Sequence, residues 1–380
     1  MSQDKSHQSD TGLDVLISGG SMGGLFTGIA LARSGHRPTV YEQSAGALES
    51  RGGGIVAQQN IRRFLSEHDI VDPADITTRS RERRFLTENG DIERAVSETM
   101  VFTSWDALYR QLRDAFPDEQ YRTDTEVVAV EPEAATVTTD DGTDRTGDVV
   151  VAAEGGQSTT RAQLHSDVKP EFASYVAWRG VVDEADLPTV CAEAFDGTFT
   201  FYQGADQLIL AYFIPGPDGE TERGSRRLNW VWYDTLNGRD RDAIFTDTSG
   251  TEQRFSVPPG ELRDPVRHRQ RERAGTLPPV FETLVSETPD LFVQAIYDLT
   301  VPTMIAGRVC LLGDGAFVAR PHTAAGTAKA AGDSTALADA LSSHGSVEDA
   351  LAEWDQTRTE YGTTLVARGK QMGDVRLNLN

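Results

Sequence analysis

The chain has 380 residues, with 59 acidic against 36 basic side chains, a net charge of −23 and a pI near 4.7. At 38% hydrophobic and 25% charged it has the composition of a globular protein of about two to three domains, not of a collagen, a disulfide scaffold or a disordered chain. A field of this sign repels nucleic acid and anionic lipid, which argues against either as a partner.

Residues 1–12 read as a disordered polar tail without the apolar centre of a signal peptide. No apolar run approaches the ~20 residues of a membrane span, so a cytoplasmic protein is expected. An apolar strand over 13–17 leads into Gly19-Gly20-Ser21-Met22-Gly23-Gly24, and a helix follows over 25–34, closed by Gly35. A second strand over 38–41 ends at Glu42, which completes a β-α-β unit. The glycine-rich stretch Arg51 to Val56 reads as a loop, either hugging a flat ring or simply flexible. Helices are expected over 61–67 and 105–116, and strands over 126–130, 135–139 and 148–153, the last followed by Glu154-Gly155-Gly156.

The middle of the chain changes character. Short aromatic-rich runs over 175–182, 198–202, 208–214 and 228–233, bounded by glycine and proline, predict an antiparallel sheet. Residues 239–259 are polar and read as irregular. A strand over 308–312, the pair Gly313-Asp314 and helices over 327–341 and 347–367 then resume the first pattern. The expected fold is α/β. A discontinuous Rossmann-like domain spans 13–170 and 300–380 and ends in helices, and a mostly antiparallel sheet domain over 171–299 is inserted into it.

Three motifs carry chemistry. Gly19-x-Ser21-x-x-Gly24 sits between strand and helix, where backbone N–H groups can meet a pyrophosphate; Ser21 is the smallest hydroxyl-bearing substitute for the middle glycine. Glu42 can accept from a ribose 2′-OH, which suits the adenosine of FAD or NAD and disfavours a 2′-phosphate. Asp314 can accept from a ribityl hydroxyl, which FAD has and NAD lacks. The helix opened by Ala325-Gly326-Thr327 turns its positive end toward the same place. Each has a plainer reading: a structural turn, a solvated acid, a capping aspartate. Their order along one chain favours FAD.

Lysine is confined to Lys5, Lys169, Lys329 and Lys370, and the acids are spread along the chain. Such a surface suits high salt, with an ordinary acidic enzyme as the alternative. Cys191 and Cys310 form no Cys-x-x-Cys and read as small apolar fillers.

The sequence resembles the single-component flavoprotein aromatic hydroxylases, and within them the dihydroxypyridine hydroxylase branch. The likeness runs from Val15 to about Arg368. It rests on Gly19 to Ser21, Tyr175-Val176-Ala177-Trp178-Arg179-Gly180-Val181, Ile214-Pro215-Gly216, Leu228-Asn229-Trp230, and Gly313-Asp314-Gly315 followed by Arg320-Pro321-His322-Thr323-Ala324-Ala325-Gly326. The resemblance implies non-covalent FAD and a transient NAD(P)H. It implies addition of O2 at flavin C4a, transfer of OH from the hydroperoxide to a small electron-rich aromatic or N-heteroaromatic substrate, and no metal. Dimers are common in the family, so a homodimer is among the assemblies expected.

For the cofactor, the motifs and the resemblance together put forward Gly19, Gly20, Ser21, Met22, Gly23, Gly24, Glu42, Gln43, Arg51, Gly54, Ile55, Val56, Val128, Glu154, Gly155, Gly313, Asp314, Pro321, Ala325, Gly326 and Thr327. Glu154 stands where the family has aspartate, and Trp105 lies near the place of a family arginine. The candidates for substrate activation are His322, Tyr202 and Tyr212, each also readable as structural. Trp178, Phe201, Trp230 and Trp232 read as pocket wall or core. A double-bond reductase on the same scaffold and a non-catalytic flavin-binding protein remain the alternatives.

Overall fold

The structure, a computed structural model, describes residues 12–46, 48, 53–236 and 238–379. Residues 1–11 of the expected tail and Arg51 lie outside the described residues. No helix among the described residues is long and apolar enough to cross a membrane.

The first sheet has six strands in the order Ile305–Ala306, Val309–Leu311, Val149–Ala152, Asp14–Ser18, Arg37–Tyr41 and Tyr121–Arg122. All but the first run parallel, with Ile17 opposite both Val151 and Val40. Parallel strands covered on both faces need continuous apolar runs, which is what Val149–Ala152 and Val309–Leu311 supply, every residue buried. One face packs the helices Met22–Arg33 and Gly326–Ser343, whose contact buries Phe26, Ile29, Ala331 and Leu337. The other carries an antiparallel meander of Val127–Glu131, Thr136–Thr139 and Asp144–Thr146.

A larger sheet runs in the order Ser256–Val257, Phe292–Thr300, Glu171–Asp183, Arg227–Thr235, Gln207–Ile214, Thr198–Gln203, Thr78–Leu86, Ile92–Ser104 and Gly54–Val56. It recruits three strands from within residues 13–170, so the sheet is not confined to 171–299. The hairpin Thr78–Ser104 was not legible as strand, because its arginine- and glutamate-rich residues show little apolar alternation. Gly54–Val56, expected as loop, pairs antiparallel with residues 102–104.

Period-2 alternation gives this sheet two different faces. Trp178, Trp230, Trp232 and Tyr202 point to one, where they pack on the helices Thr189–Phe195 and Pro279–Glu287 through Cys191, Phe195 and Phe281. Tyr175, Arg179, Tyr212, Asn229 and Tyr233 point to the other, toward the first domain. The polar stretch 239–259 holds only a short helix, Arg241–Phe245, the strand Ser256–Val257 and isolated bridges. Both cysteines are buried and free, and burial pushes the Cys191 thiol up to about 11.

Candidate active site

A cleft of 620 Å³ crosses the carboxyl ends of four neighbouring parallel strands. It lies where the strand order reverses around Asp14–Ser18, the position at which open α/β sheets bind ligands. Its walls include Gly19, Ser21, Met22, Gly23, Glu42, Gln43, Glu154, Gly155, Gly313, Asp314, Gly326 and Thr327. The sequence motifs therefore converge.

The turn at Gly19 is locally determined. Gly19 has φ +99°, and a Cβ on Gly24 would sit 1.9 Å from the Gly19 carbonyl oxygen, so neither position admits a side chain. Ser21 occupies the N-cap of Met22–Arg33 but makes no capping bond, and neither that helix nor Gly326–Ser343 has an acid in its first turn. Two uncapped helix N-termini thus present free backbone N–H groups to one cleft, the arrangement an anion requires. Glu42 is 5% exposed and holds the loop from the other side, accepting from Gly20 N–H at 2.9 Å and Ser44 N–H at 2.8 Å.

The glutamate at 154 has a visible reason. Its longer carboxylate accepts from Ser18 Oγ at 2.7 Å, Ser158 Oγ at 2.6 Å, Thr160 N–H at 3.0 Å and Thr160 Oγ1 at 2.7 Å. It welds the turn after Val149–Ala152 to the strand Asp14–Ser18. Arg161, 4% exposed, extends the brace by donating to the carbonyls of Gly156 and Gly315. Asp314 is half-exposed in the cleft and receives one bond from Lys329 Nζ at 3.2 Å, so the rest of its carboxylate faces outward. Lys329 itself is 1% exposed and also donates to the Phe317 carbonyl.

These features fit FAD. Glu42 and Asp314 stand at the ends of two different strands, with the two helix N-termini between and beside them, so one dinucleotide can meet both acids. Among the described lining residues there are four carboxylates, Glu42, Glu126, Glu154 and Asp314, and no lysine, arginine or histidine. Trp105 lines the wall and stacks on Tyr109 at 4.8 Å.

A pyrophosphate would therefore be met by backbone dipoles inside a repelling field. Raising KCl from 0.1 to 2 M is expected to tighten FAD several-fold by screening that field. Titration of the apoprotein followed by flavin fluorescence checks this. Trp105→Arg is expected to reverse the sign; wild-type binding that weakens steadily with salt would refute it.

Some expected residues fall outside the cleft. Gly20 and Gly24 serve the turn itself, as the bonds and contacts above show. Val128 is 48% exposed, and its neighbours Thr125, Glu126 and Val127 line the wall instead. Gly54, Ile55, Val56, Pro321 and Ala325 stand outside the lining, in the region joining the cleft to the large sheet. Ile55 packs on the core of the first domain and Val56 on that of the sheet. Gln58 Nε2 ties this segment to the His322 loop by donating to Ala324 O at 2.8 Å. Gly54 must be glycine, since a Cβ there would lie 2.7 Å from the Tyr212 ring.

Of the three candidates for chemistry, the structure separates one from the others. Tyr202 faces the tryptophan side of the sheet, because it pairs with Ile209, which pairs in turn with Trp232 and is an odd number of residues from Tyr212. Tyr212 lies on the domain-facing side, stacked on Phe102 at 4.1 Å, and burial raises its phenol well above the usual range. His322 is 9% exposed. Its Nε2 is 2.9 Å from Tyr175 Oη, its ring is 4.5 Å from that of Tyr233, and its Nδ1 has no partner among the described residues. Burial, with Arg376 and Arg320 nearby, lowers its pKa to about 3, so the imidazole is neutral.

Tyr175, Tyr233, Arg179 and Asn229 were not singled out for chemistry from the sequence. The available signal was an arginine at an in-facing position of a strand otherwise buried and aromatic.

A family model described as FAD binding domain-like matches residues 172–298. The 2,6-dihydroxypyridine 3-monooxygenase of Paenarthrobacter nicotinovorans is 32% identical over 363 residues, covering 94% of this chain and 90% of the relative. The structure of 2,6-dihydroxypyridine-3-hydroxylase from Arthrobacter nicotinovorans superposes with a TM-score of 0.91 at 31% identity, over 97% of this chain and 93% of that one. The fold is also shared with Klebsiella pneumoniae HpxO complexed with FAD and uric acid, at a TM-score of 0.78 and 19% identity, over 96% and 89% of the two chains. With likeness along nearly the whole of both chains and a cleft suited to the cofactor, this chain belongs to the family of FAD-dependent aromatic monooxygenases.

Proposed function

We propose that the chain hydroxylates a small hydroxylated aromatic or N-heteroaromatic ring, in the manner of the dihydroxypyridine enzyme it resembles, using NAD(P)H and O2. Bound FAD supplies the redox and oxygen-activating chemistry. The observation that carries the substrate reading is His322: a neutral, buried imidazole with one nitrogen on Tyr175 and the other unpartnered, in the loop that opens the helix Gly326–Ser343.

With Nε2–H donating to Tyr175, the Nδ1 lone pair accepts a hydrogen bond from a ring hydroxyl, which polarises the O–H bond and makes the ring more electron-rich. Tyr175, Tyr212 and Tyr233 wall the site and exclude water. The N-terminus at Gly326 favours negative charge at its end of the cleft. Three tyrosines, an asparagine and an arginine on this face do not suit the long aliphatic ligand of an isoprenoid-chain reductase. The acidic surface, with Lys329 withdrawn from solvent, supports a salt-rich setting.

The test is NAD(P)H oxidation by the FAD-loaded protein with and without air, screened over hydroxypyridines and phenols. Ring-dependent O2 uptake with one hydroxylated product per O2 supports the reading. Turnover that needs no oxygen sinks it. Removing the acceptor in His322→Leu is expected to lower kcat about 100-fold or more, with flavin content retained.

A further inference from the structure

The domain-facing side of the large sheet holds buried polar atoms that the reading above does not use. Arg179 lies on the strand Glu171–Asp183, opposite Val231, and Asn229 lies one same-face step along the neighbouring strand Arg227–Thr235. Asn229 is 1% exposed. Its Oδ1 accepts from Gly54 N–H at 2.8 Å, which fixes the carboxamide and leaves Nδ2 without a partner. Arg179 Nε is likewise buried and unpartnered. The two groups are neighbours: a methyl placed on Gly53 would lie 2.6 Å from Asn229 Oδ1 and 3.6 Å from Arg179 Nη1.

Several other arginines withdrawn from solvent find carboxylates, and Arg161 finds two backbone carbonyls. Arg226 meets Glu184 and Asp196, Arg239 and Arg273 share Asp234, and Arg358 meets Asp333. In a chain with 59 acidic residues, Arg179 is an inward guanidinium with no carboxylate partner among the described residues. Orphaned buried donors are costly unless a ligand completes them.

We propose that Arg179, backed by the Asn229 carboxamide, is the subsite for an anionic oxygen of the substrate, either a carboxylate or an ionised ring hydroxyl. The inference rests on the hydroxylase reading and narrows its substrate class. Arg179 supplies charge and a planar pair of donors, Asn229 a third N–H, and the rings of Tyr212 and Tyr233 flank them. The ring is thereby held by its anionic end, while His322 Nδ1 addresses a hydroxyl.

The experiment uses FAD-loaded protein and reads ligand affinity from perturbation of the flavin absorbance. One arm compares 4-hydroxybenzoate with 4-hydroxybenzamide; the other compares 2,6-dihydroxypyridine with 2,6-dimethoxypyridine. The arm with the larger preference identifies the source of the anionic oxygen. In at least one arm the ionisable member is expected to bind about 10- to 100-fold more tightly. Arg179→Gln should erase that preference, and Arg179→Lys should restore part of it. Asn229→Asp keeps the Gly54 bond but brings a carboxylate to Arg179, and should erase it too. No preference in either arm, absence of binding by every probe, or a preference that survives Arg179→Gln would overturn the proposal. Protein that takes up no FAD would instead defeat the hydroxylase reading itself.

Discussion

Arg320→Met is expected to destabilise the holoprotein by about 3–5 kcal/mol, the cost of leaving a buried charge without its partner. Arg320 is 5% exposed. Its Nε and Nη2 meet both oxygens of Asp298 at 2.9–3.1 Å, and its Nη1 meets Asp374 at 2.6 Å. One guanidinium thus joins the strand Phe292–Thr300, the C-terminal helix Val347–Leu377 and the loop carrying His322. Methionine keeps much of the volume but strands the Asp298 carboxylate, with only the half-exposed Lys370 Nζ at 3.9 Å among the described residues to answer it. That cation holds the loss toward the lower figure. The melting temperature should fall by about 4–6 °C.

A second variant separates stability from function. Arg320→Met with Asp298→Leu removes both charges and should recover most of the stability, since a well-packed apolar pair replaces a buried ion pair at little cost. Hydroxylation should not recover. The guanidinium also lies over the Tyr175 ring, 5.6 Å from its centre, and Tyr175 is what orients His322. The expected signature is NAD(P)H consumption that yields hydrogen peroxide in place of hydroxylated product. Full coupling in the double variant would show that Arg320 is a brace and nothing more.

The parts legible in the sequence were those whose cause is local. The turn at Gly19 and the acids at Glu42 and Asp314 follow from a strand, a tight turn and a helix in succession. The continuous apolar runs at 149–152 and 309–311 could be nothing but covered strands. The sheet face was illegible for the opposite reason. Whether Tyr202 or Tyr212 meets the flavin domain depends on register with strands some distance away, and a one-residue slip exchanges the faces. The C-terminal helix shows the same limit. It was expected over 347–367, yet Gly362, Gly369 and Gly373 do not break it and it runs to Leu377. Those glycines answer to tertiary packing. A Cβ on Gly362 would lie 2.3 Å from the Phe317 ring, and one on Gly373 would lie 2.8 Å from Arg320 Nη1. The helix needs them to ride close over the strand and loop that hold the site.

The buried imidazole makes stability itself depend on pH. His322 titrates at about 3 in the folded chain because burial, then Arg376 and Arg320, disfavour its cation, against about 6.5 when unfolded. Between those values the unfolded chain binds the extra proton. The contribution is therefore complete above about pH 6.5 and is lost progressively as pH falls toward 3. The full shift corresponds to about 4–5 kcal/mol, of which about 3 kcal/mol should be gone by pH 4. His322→Asn keeps a polar partner for Tyr175 and cannot titrate, so its stability should fall less steeply over the same range. Carboxylates titrate in both proteins and cancel in the difference, which urea unfolding at pH 7, 5.5 and 4 would measure. Equal slopes would mean that the ring is solvated. Activity offers an independent check, since an imidazole already neutral at pH 6 places no acid limb near 6.5 on the kcat/KM profile of the free enzyme. A limb there that disappears in His322→Asn would show the cation populated in the site, and the hydrogen-bond acceptor assigned to Nδ1 would have to be sought elsewhere on the sheet.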